Sequence, residues 1–193
     1  VSAIEKEAIR RRLIDAGKTA FAERGLAGAR LDQISVAAGH ARGTVYNYFP
    51  DKEALFFEII REWCDQLSAE AVHLNGSPRR QLVGIAELDV VIARKDPDLS
   101  RVIVQQMPAL LGSHAAAIGH AVAPALDLIA GLFAAGLHSG DFQSPHRPAA
   151  LARLFIGAIS WFESEALLPE PANDLDDVVE LVDRHFLEGL VAA

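Results

Sequence analysis

Residues 39–50 read GHARGTVYNYFP. This stretch places Arg42, Thr44, Tyr46, Asn47 and Tyr48 within about two helical turns, and Pro50 ends the run. A core helix of that length carries an apolar stripe, whereas this one is basic, hydroxylated and aromatic. Only Val45 and Phe49, at i and i+4, are placed to anchor it.

Upstream, Leu31, Ile34 and Ala38 recur at helical spacing and Gly39 breaks the pattern, so a short helix is expected over 31–38. Two short helices joined by the turn Gly39-His40-Ala41 make a helix-turn-helix arrangement, whose second helix enters the DNA major groove. Arg42, Thr44, Tyr46, Asn47 and Tyr48 would then face away from the core. Arg suits guanine or phosphate, Asn suits adenine, and hydroxyls suit phosphate oxygens. Gly43 leaves room for a close backbone approach, and Lys52 follows at the start of the next helix. The plain alternative is a surface helix with two half-buried tyrosines, and spacing by itself leaves both open.

Helical periodicity continues along the chain and no strand pattern emerges. Ile9, Leu13, Ala16, Ala20 and Phe21 form the stripe of a first helix that Gly25 is placed to end. Asp51 caps a long helix with the stripe Leu55, Phe56, Ile59, Ile60, Trp63, Leu67. Ser77-Pro78, Asp96-Pro97 and Ser144-Pro145 mark later starts. Elements are expected over roughly 78–95, 97–107, 114–139, 146–168 and 174–191, the last opening on the acidic run Asn173-Asp174 with Asp176 and Asp177. Pro124 should kink the helix that holds it. The expected fold class is all-α, about nine helices.

The chain has 193 residues, about half of them hydrophobic, enough for a sizeable core. Its one cysteine, Cys64, excludes an intrachain disulfide and fits a reducing, cytoplasmic setting. The N-terminal VSAIEKEAIRRRL lacks the apolar core of a signal peptide. Ala121–Leu137, interrupted by Pro124 and Asp127, is read as short of a membrane span, so no membrane association is expected. The net charge of −8 is unevenly spread: residues 1–50 hold eight Lys/Arg against five acids, and the remainder carries −11. That asymmetry suits a head that meets phosphate and a body that does not.

The segment AAGHARGTVYNYFPDKEALF, residues 37–56, closely resembles the signature of the tetracycline-repressor-like (TetR) family of bacterial regulators. Ala20-Phe21, Gly25 and Ile34 agree in place upstream, so the resemblance covers roughly residues 5–60. It implies a helix-turn-helix DNA-binding domain at 1–50 and a helical effector-binding and dimerisation domain at 51–193. It further implies a homodimer on palindromic double-stranded operator DNA, released by a small, mostly apolar effector, with no cofactor. Three positions depart from the family pattern: Ala41 and Arg30 stand where a capping Ser or Thr is usual, and His40 replaces a small apolar residue. Each lost cap costs about 1 kcal/mol of helix-end stability, while Arg30 offers a further phosphate or minor-groove contact. The expected DNA contacts are Arg30, Arg42, Gly43, Thr44, Tyr46, Asn47, Tyr48 and Lys52.

In the body, Trp63, Leu67, Gln106, Met107, Leu110, Phe133 and Trp161 are the candidate lining of an apolar pocket, with ordinary core packing the alternative for each. Leu151, Phe155, Phe162, Val178, Val182 and Phe186 form apolar faces on the last two helices, where the resemblance places the dimer interface. Inward packing within one subunit is the other reading of those faces. Glu70 and His73 have the Glu-x-x-His spacing of di-iron bundles but no second such pair. No hydrolase, phosphate-binding or metal signature is present, so neither an enzyme nor a metal site is expected. The rival reading is a helical small-molecule-binding or scaffold protein with an inactive DNA-binding head.

Overall fold

The structure, a computed structural model, describes residues 2–168, 170–171 and 174–190. Every regular element among them is helical: α1 (Ala3–Gly28), α2 (Leu31–Ala37), a 3-10 turn (Thr44–Asn47), α3 (Lys52–Ala71), α4 (Pro78–Lys95), α5 (Pro97–Ser139), α6 (Pro148–Ala166) and α7 (Leu175–Val182). A π turn (Asp183–Leu187) and a 3-10 turn (Glu188–Leu190) extend α7. The all-α class stands, but the count is seven α-helices among the described residues, not about nine.

Two local causes account for the difference. The segment after the first turn winds as a single 3-10 turn, because Gly43 starts it, β-branched Thr44 and Val45 follow, and Pro50 disfavours helical backbone at Phe49. The stretches expected at 97–107 and 114–139 run together as α5, which bends at His114 (φ −130°, ψ 26°) rather than at Pro124. Gly112-Ser113 loosens the helix there, and Ser113 Oγ lies 2.8 Å from His114 Nδ1. Pro124 itself sits in helical backbone.

The other boundaries follow the chain chemistry. Ser2 and Glu5 form a capping box that opens α1, with the Glu5 N–H donating to Ser2 Oγ at 3.1 Å. Gly25 has φ 65° as its position requires, after which one short turn continues to Gly28. The Asp51 carboxylate accepts from the Ala54 N–H at 2.7 Å at the start of α3. Helix α6 begins at Pro148 behind Arg147, not at Ser144-Pro145, and Ser144 Oγ instead accepts the His146 N–H at 3.2 Å. Asp174 and Asp177 form a second capping box that opens α7. Asn173 and residue 191 lie outside the described residues.

Two compact units make up the chain, Val1–Glu62 with Asp98–Ala121, and Trp63–Pro97 with Val122–Ala193. In the first, Leu13, Ile14 and Phe21 of α1 are buried with Ile34 of α2, Val45 of the 3-10 turn, and Leu55 and Phe56 of α3. Phe21 meets Phe56 edge to face at 5.5 Å, and a Cβ on Gly17 would come within 2.9 Å of Leu55, so α1 carries no side chain there. In the second, Phe133 of α5 packs against Phe142, Phe155 and Phe186 with ring centroids 5.7, 5.9 and 6.3 Å apart.

By length and composition α5 is apolar enough to cross a membrane, which corrects the expectation that this stretch falls short of a span. The shorter window read from the sequence missed the helix's continuation upstream of Ala121. Its Ile118, Ala121, Ala125, Ile129 and Phe133 are buried at helical spacing, the pattern of a core helix.

Candidate functional site

The helix-turn-helix is held together by backbone chemistry. Gly39 has φ 80°, a left-handed conformation open to glycine at no steric cost. The His40 N–H donates to the Ser35 carbonyl at 2.9 Å, and Ser35 Oγ donates to the Ala41 carbonyl at 2.6 Å. Ser35 is fully buried, and this hydroxyl ties α2 to the far side of the turn. The sequence reading passed over Ser35. Its signal was a hydroxyl beside Ile34 on the inward side of a seven-residue helix.

The 3-10 turn has one buried and one exposed side. Val45 is fully buried and Phe49 nearly so. Arg42, Gly43, Tyr46 and Asn47 are exposed, while Thr44 and Tyr48 are half-buried. Tyr46, at 56 % exposure, is the most open large side chain of the turn. Neither Arg30 ahead of α2 nor Gly43 ahead of the 3-10 turn supplies a side-chain cap, which leaves backbone N–H groups at both starts unmatched by their own side chains.

Among the expected contacts, Arg30, Tyr46 and Lys52 line one shallow cleft of about 500 Å³ with Asp32 and Asp51. Arg30 is not a free cation: its Nε and Nη2 donate to the Asp32 carboxylate at 3.2 and 3.3 Å, which draws that carboxyl below its usual range. Lys52 Nζ donates to the Ala27 carbonyl at 3.0 Å. Arg42 is exposed with no ion pair among the described residues.

The surplus of positive charge in the head is partly spent within the fold. Arg10 pairs with Glu58 of α3, and its guanidinium lies 5.8 Å from the centre of the Phe49 ring. Arg61 holds the same carboxylate, its Nε donating at 3.0 Å. Lys18 pairs with Glu62 at 2.8 Å. Arg10 therefore braces the end of the 3-10 turn, a role that charge counting does not reveal.

The body residues are distributed differently from the sequence expectation. Trp63, Leu67, Phe133 and Trp161 belong to the second unit, and Gln106, Met107 and Leu110 to the first. Phe133 is fully buried among three rings, which makes it core rather than pocket lining. Trp161 is 64 % exposed and lines no interior space, because its position on α6 falls opposite the buried Leu151-Phe155-Ile159 stripe. Trp63 does face inward, donating from Nε1 to Asp89 Oδ1 at 2.7 Å. The His114 ring packs 5.4 Å from Phe57.

Leu151, Phe155, Val178 and Val182 are buried within the chain itself and have no surface to offer a second copy. Phe162 and Phe186 are half-buried. What α6 does expose is a stripe of Ala150, Leu154, Gly157 and Trp161 at helical spacing. The apolar faces read from sequence were the inward ones, since hydrophobicity alone does not separate burial inside a subunit from burial between two.

A buried carboxyl, Glu163, and a half-buried one, Asp89, also escaped the sequence reading. Burial pushes the Asp89 carboxyl up to about 6, against the pull of the Trp63 indole, and pushes Glu163 well above the usual carboxylate range with help from Asp89. Both bind protons more tightly in the folded chain than in the unfolded one, where carboxyls titrate near about 4. The stability these protons contribute is present at low pH. It is lost as pH rises through about 6 for Asp89 and at higher pH for Glu163. The urea midpoint is thus expected to fall from pH 5 to pH 8, and Glu163→Gln to flatten that fall.

Comparison with known proteins agrees with this geometry. Residues 13–59 match the family described as bacterial regulatory proteins, tetR family. The HTH-type transcriptional repressor Rv1474c of Mycobacterium tuberculosis is 36 % identical over 102 residues, 48 % of this chain and 54 % of that protein. This chain thus spans about half the length of that curated relative. The fatty acid degradation regulator FadR from Bacillus halodurans superposes with a TM-score of 0.76 at 23 % identity, covering 94 % of this chain and 96 % of that one. FadR from Bacillus subtilis in complex with stearoyl-CoA gives 0.74 at 20 % identity, over 89 % and 96 % of the two chains. Residues 13–59 thus match the tetR family of bacterial regulatory proteins, and the chain shares the helical fold of those regulators.

Proposed function

We propose that the protein is a DNA-binding transcriptional repressor, with residues 1–50 reading a palindromic operator and residues 51–193 binding a small, mostly apolar effector that releases it. The observation that carries this reading is the two-sided turn at Thr44–Asn47. Val45 is fully buried beneath it while Arg42, Tyr46 and Asn47 stand in solvent.

A homodimer supplies two such turns about 34–36 Å apart, one DNA turn. The exposed α6 stripe of Leu154, Gly157 and Trp161 supports a two-fold contact there, with Gly157 leaving open space above its backbone. The acidic body repels phosphate and favours approach by the head. The stearoyl-CoA of the Bacillus subtilis FadR supports an effector with an apolar chain for this fold. The protein acts in the cytoplasm by binding and catalyses no reaction.

The test is selection of genomic fragments with the purified protein, followed by mobility shifts with and without Tyr46→Ala. Enrichment of a palindrome, lost in the variant, supports the reading. A folded dimer that enriches nothing at low salt points instead to a ligand-binding protein whose head no longer reads DNA. Two arginines give a sharper contrast. Arg42→Ala is expected to lower the salt dependence of operator binding by about one counterion. Arg10→Ala, which removes the brace on Phe49, is expected to lower the melting temperature by about 2–4 °C and leave the salt slope unchanged.

A further inference from the structure

We propose that Asp89 and Glu163 form the seat of a protonated amine in the second unit, with the Trp63 indole beside them. The proposal rests on the effector-binding reading above and assigns that effector a chemical class.

The two carboxyls come from different helices, Asp89 from α4 and Glu163 from α6, and Trp63 comes from α3. Trp63 Nε1 holds Asp89 Oδ1 at 2.7 Å and so leaves the other Asp89 oxygen to face a further donor. Glu163 is 2 % exposed, and its Oε1 is buried with no hydrogen-bond partner among the described residues. Native interiors seldom keep such an atom without a purpose.

Two basic side chains of α4 are engaged elsewhere. Arg79 pairs with Asp183 at 2.9 Å, and Arg94 pairs with Asp176. Neither Asp89 nor Glu163 has an ion pair among the described residues. Two carboxylates also fall short of the oxygen count that a hard divalent cation takes. An ammonium group fits better, because it brings three N–H donors and a charge that both carboxylates and an indole face attract.

Without a ligand Glu163 holds its proton, since burial and then the nearby Asp89 charge both raise its carboxyl. Cys64 faces the same region from α3. Burial, with the nearby Asp89 and Asp65 charges, pushes its thiol up to about 12, so it stays neutral and adds no competing anion. Binding is then an exchange: the ammonium enters, the Glu163 O–H proton leaves to solvent, and the net charge of the site is unchanged. Affinity therefore weakens as pH falls through about 6, where Asp89 also takes up a proton.

The experiment is calorimetry on the full chain at pH 7.5 with n-octylamine, n-octanol and octanoate, in two buffers of different ionisation enthalpy. The amine is expected to bind at least about tenfold more tightly than the alcohol, with about one proton released. Glu163→Gln mimics the neutral acid and should keep the fold while losing both the amine preference and the proton release. Asp89→Asn provides the second variant. Equal amine and alcohol affinity, tighter octanoate, or an amine preference that survives Glu163→Gln overturns the proposal. If the amine fails to bind while the same protein still shifts operator DNA, the amine seat is wrong and the regulatory reading stands. Loss of DNA binding in a folded dimer would be the separate failure of that reading.

Discussion

Phe133→Ala is expected to lower the stability of the protein by about 3–5 kcal/mol, the range for truncating a fully buried aromatic side chain. Phe133 has no exposed surface, and its ring touches three others from three different parts of the second unit: Phe142 after α5, Phe155 on α6 and Phe186 in the π turn. Truncation opens a hole that those rings cannot all close at once. The opposite flank is already tight, since a Cβ on Gly136 would run into the Phe142 ring. Urea unfolding followed by circular dichroism should show a lower midpoint with an unchanged m-value. A change below about 1 kcal/mol would mean that the cluster collapses around the vacancy.

Val45→Asp is the second large effect. It is expected to abolish operator binding, because it buries an unpaired carboxylate at a site with no solvent exposure. The turn that carries Tyr46 and Asn47 would have to leave α2 to solvate that charge. Asn47→Ala provides the contrast, removing one exposed side chain without touching the anchor. It should cost about 1–3 kcal/mol of discrimination at one base position and leave the melting temperature unmoved. Mobility shifts on the selected operator and on point variants of it, with melting curves on the same proteins, check both. Operator binding retained by Val45→Asp would remove the 3-10 turn from the DNA interface.

Much of the head was legible in the chain because its instructions are local. Gly25 and Gly39 take the positive φ angles their places call for, Asp51 caps α3, and Val45 with Phe49 anchors the turn. These features depend on neighbours within a few residues, and the resemblance over residues 37–56 depends on the same ones. The winding of the recognition segment was not legible. An i, i+4 anchor pair reads as an α-helix, yet Tyr48 N–H reaches the Val45 carbonyl at 3.0 Å in a tighter turn, held by Ser35 and closed by Pro50. Arg30 and Arg10 looked alike as cations. Tertiary neighbours gave one to Asp32 and the other to Glu58 and Phe49.

The body shows where periodicity stops being informative. The stripe Leu151, Phe155, Ile159 identified α6 as amphipathic, but a stripe does not say what covers it. The fold buries that side within the subunit and leaves Leu154 and Trp161 outside. Nothing in the sequence singles out Asp89 and Glu163, because acidic residues are mostly exposed. Only the convergence of α3, α4 and α6 buries Glu163 and sets Asp89 against the Trp63 indole. Most of the helices, most of their caps and the helix-turn-helix were legible in the chain, since backbone conformation and capping are set by adjacent residues. The tertiary structure alone decided which apolar faces are spent inside the chain, which arginines remain open and where carboxyls lose water, because each depends on residues far apart in the chain.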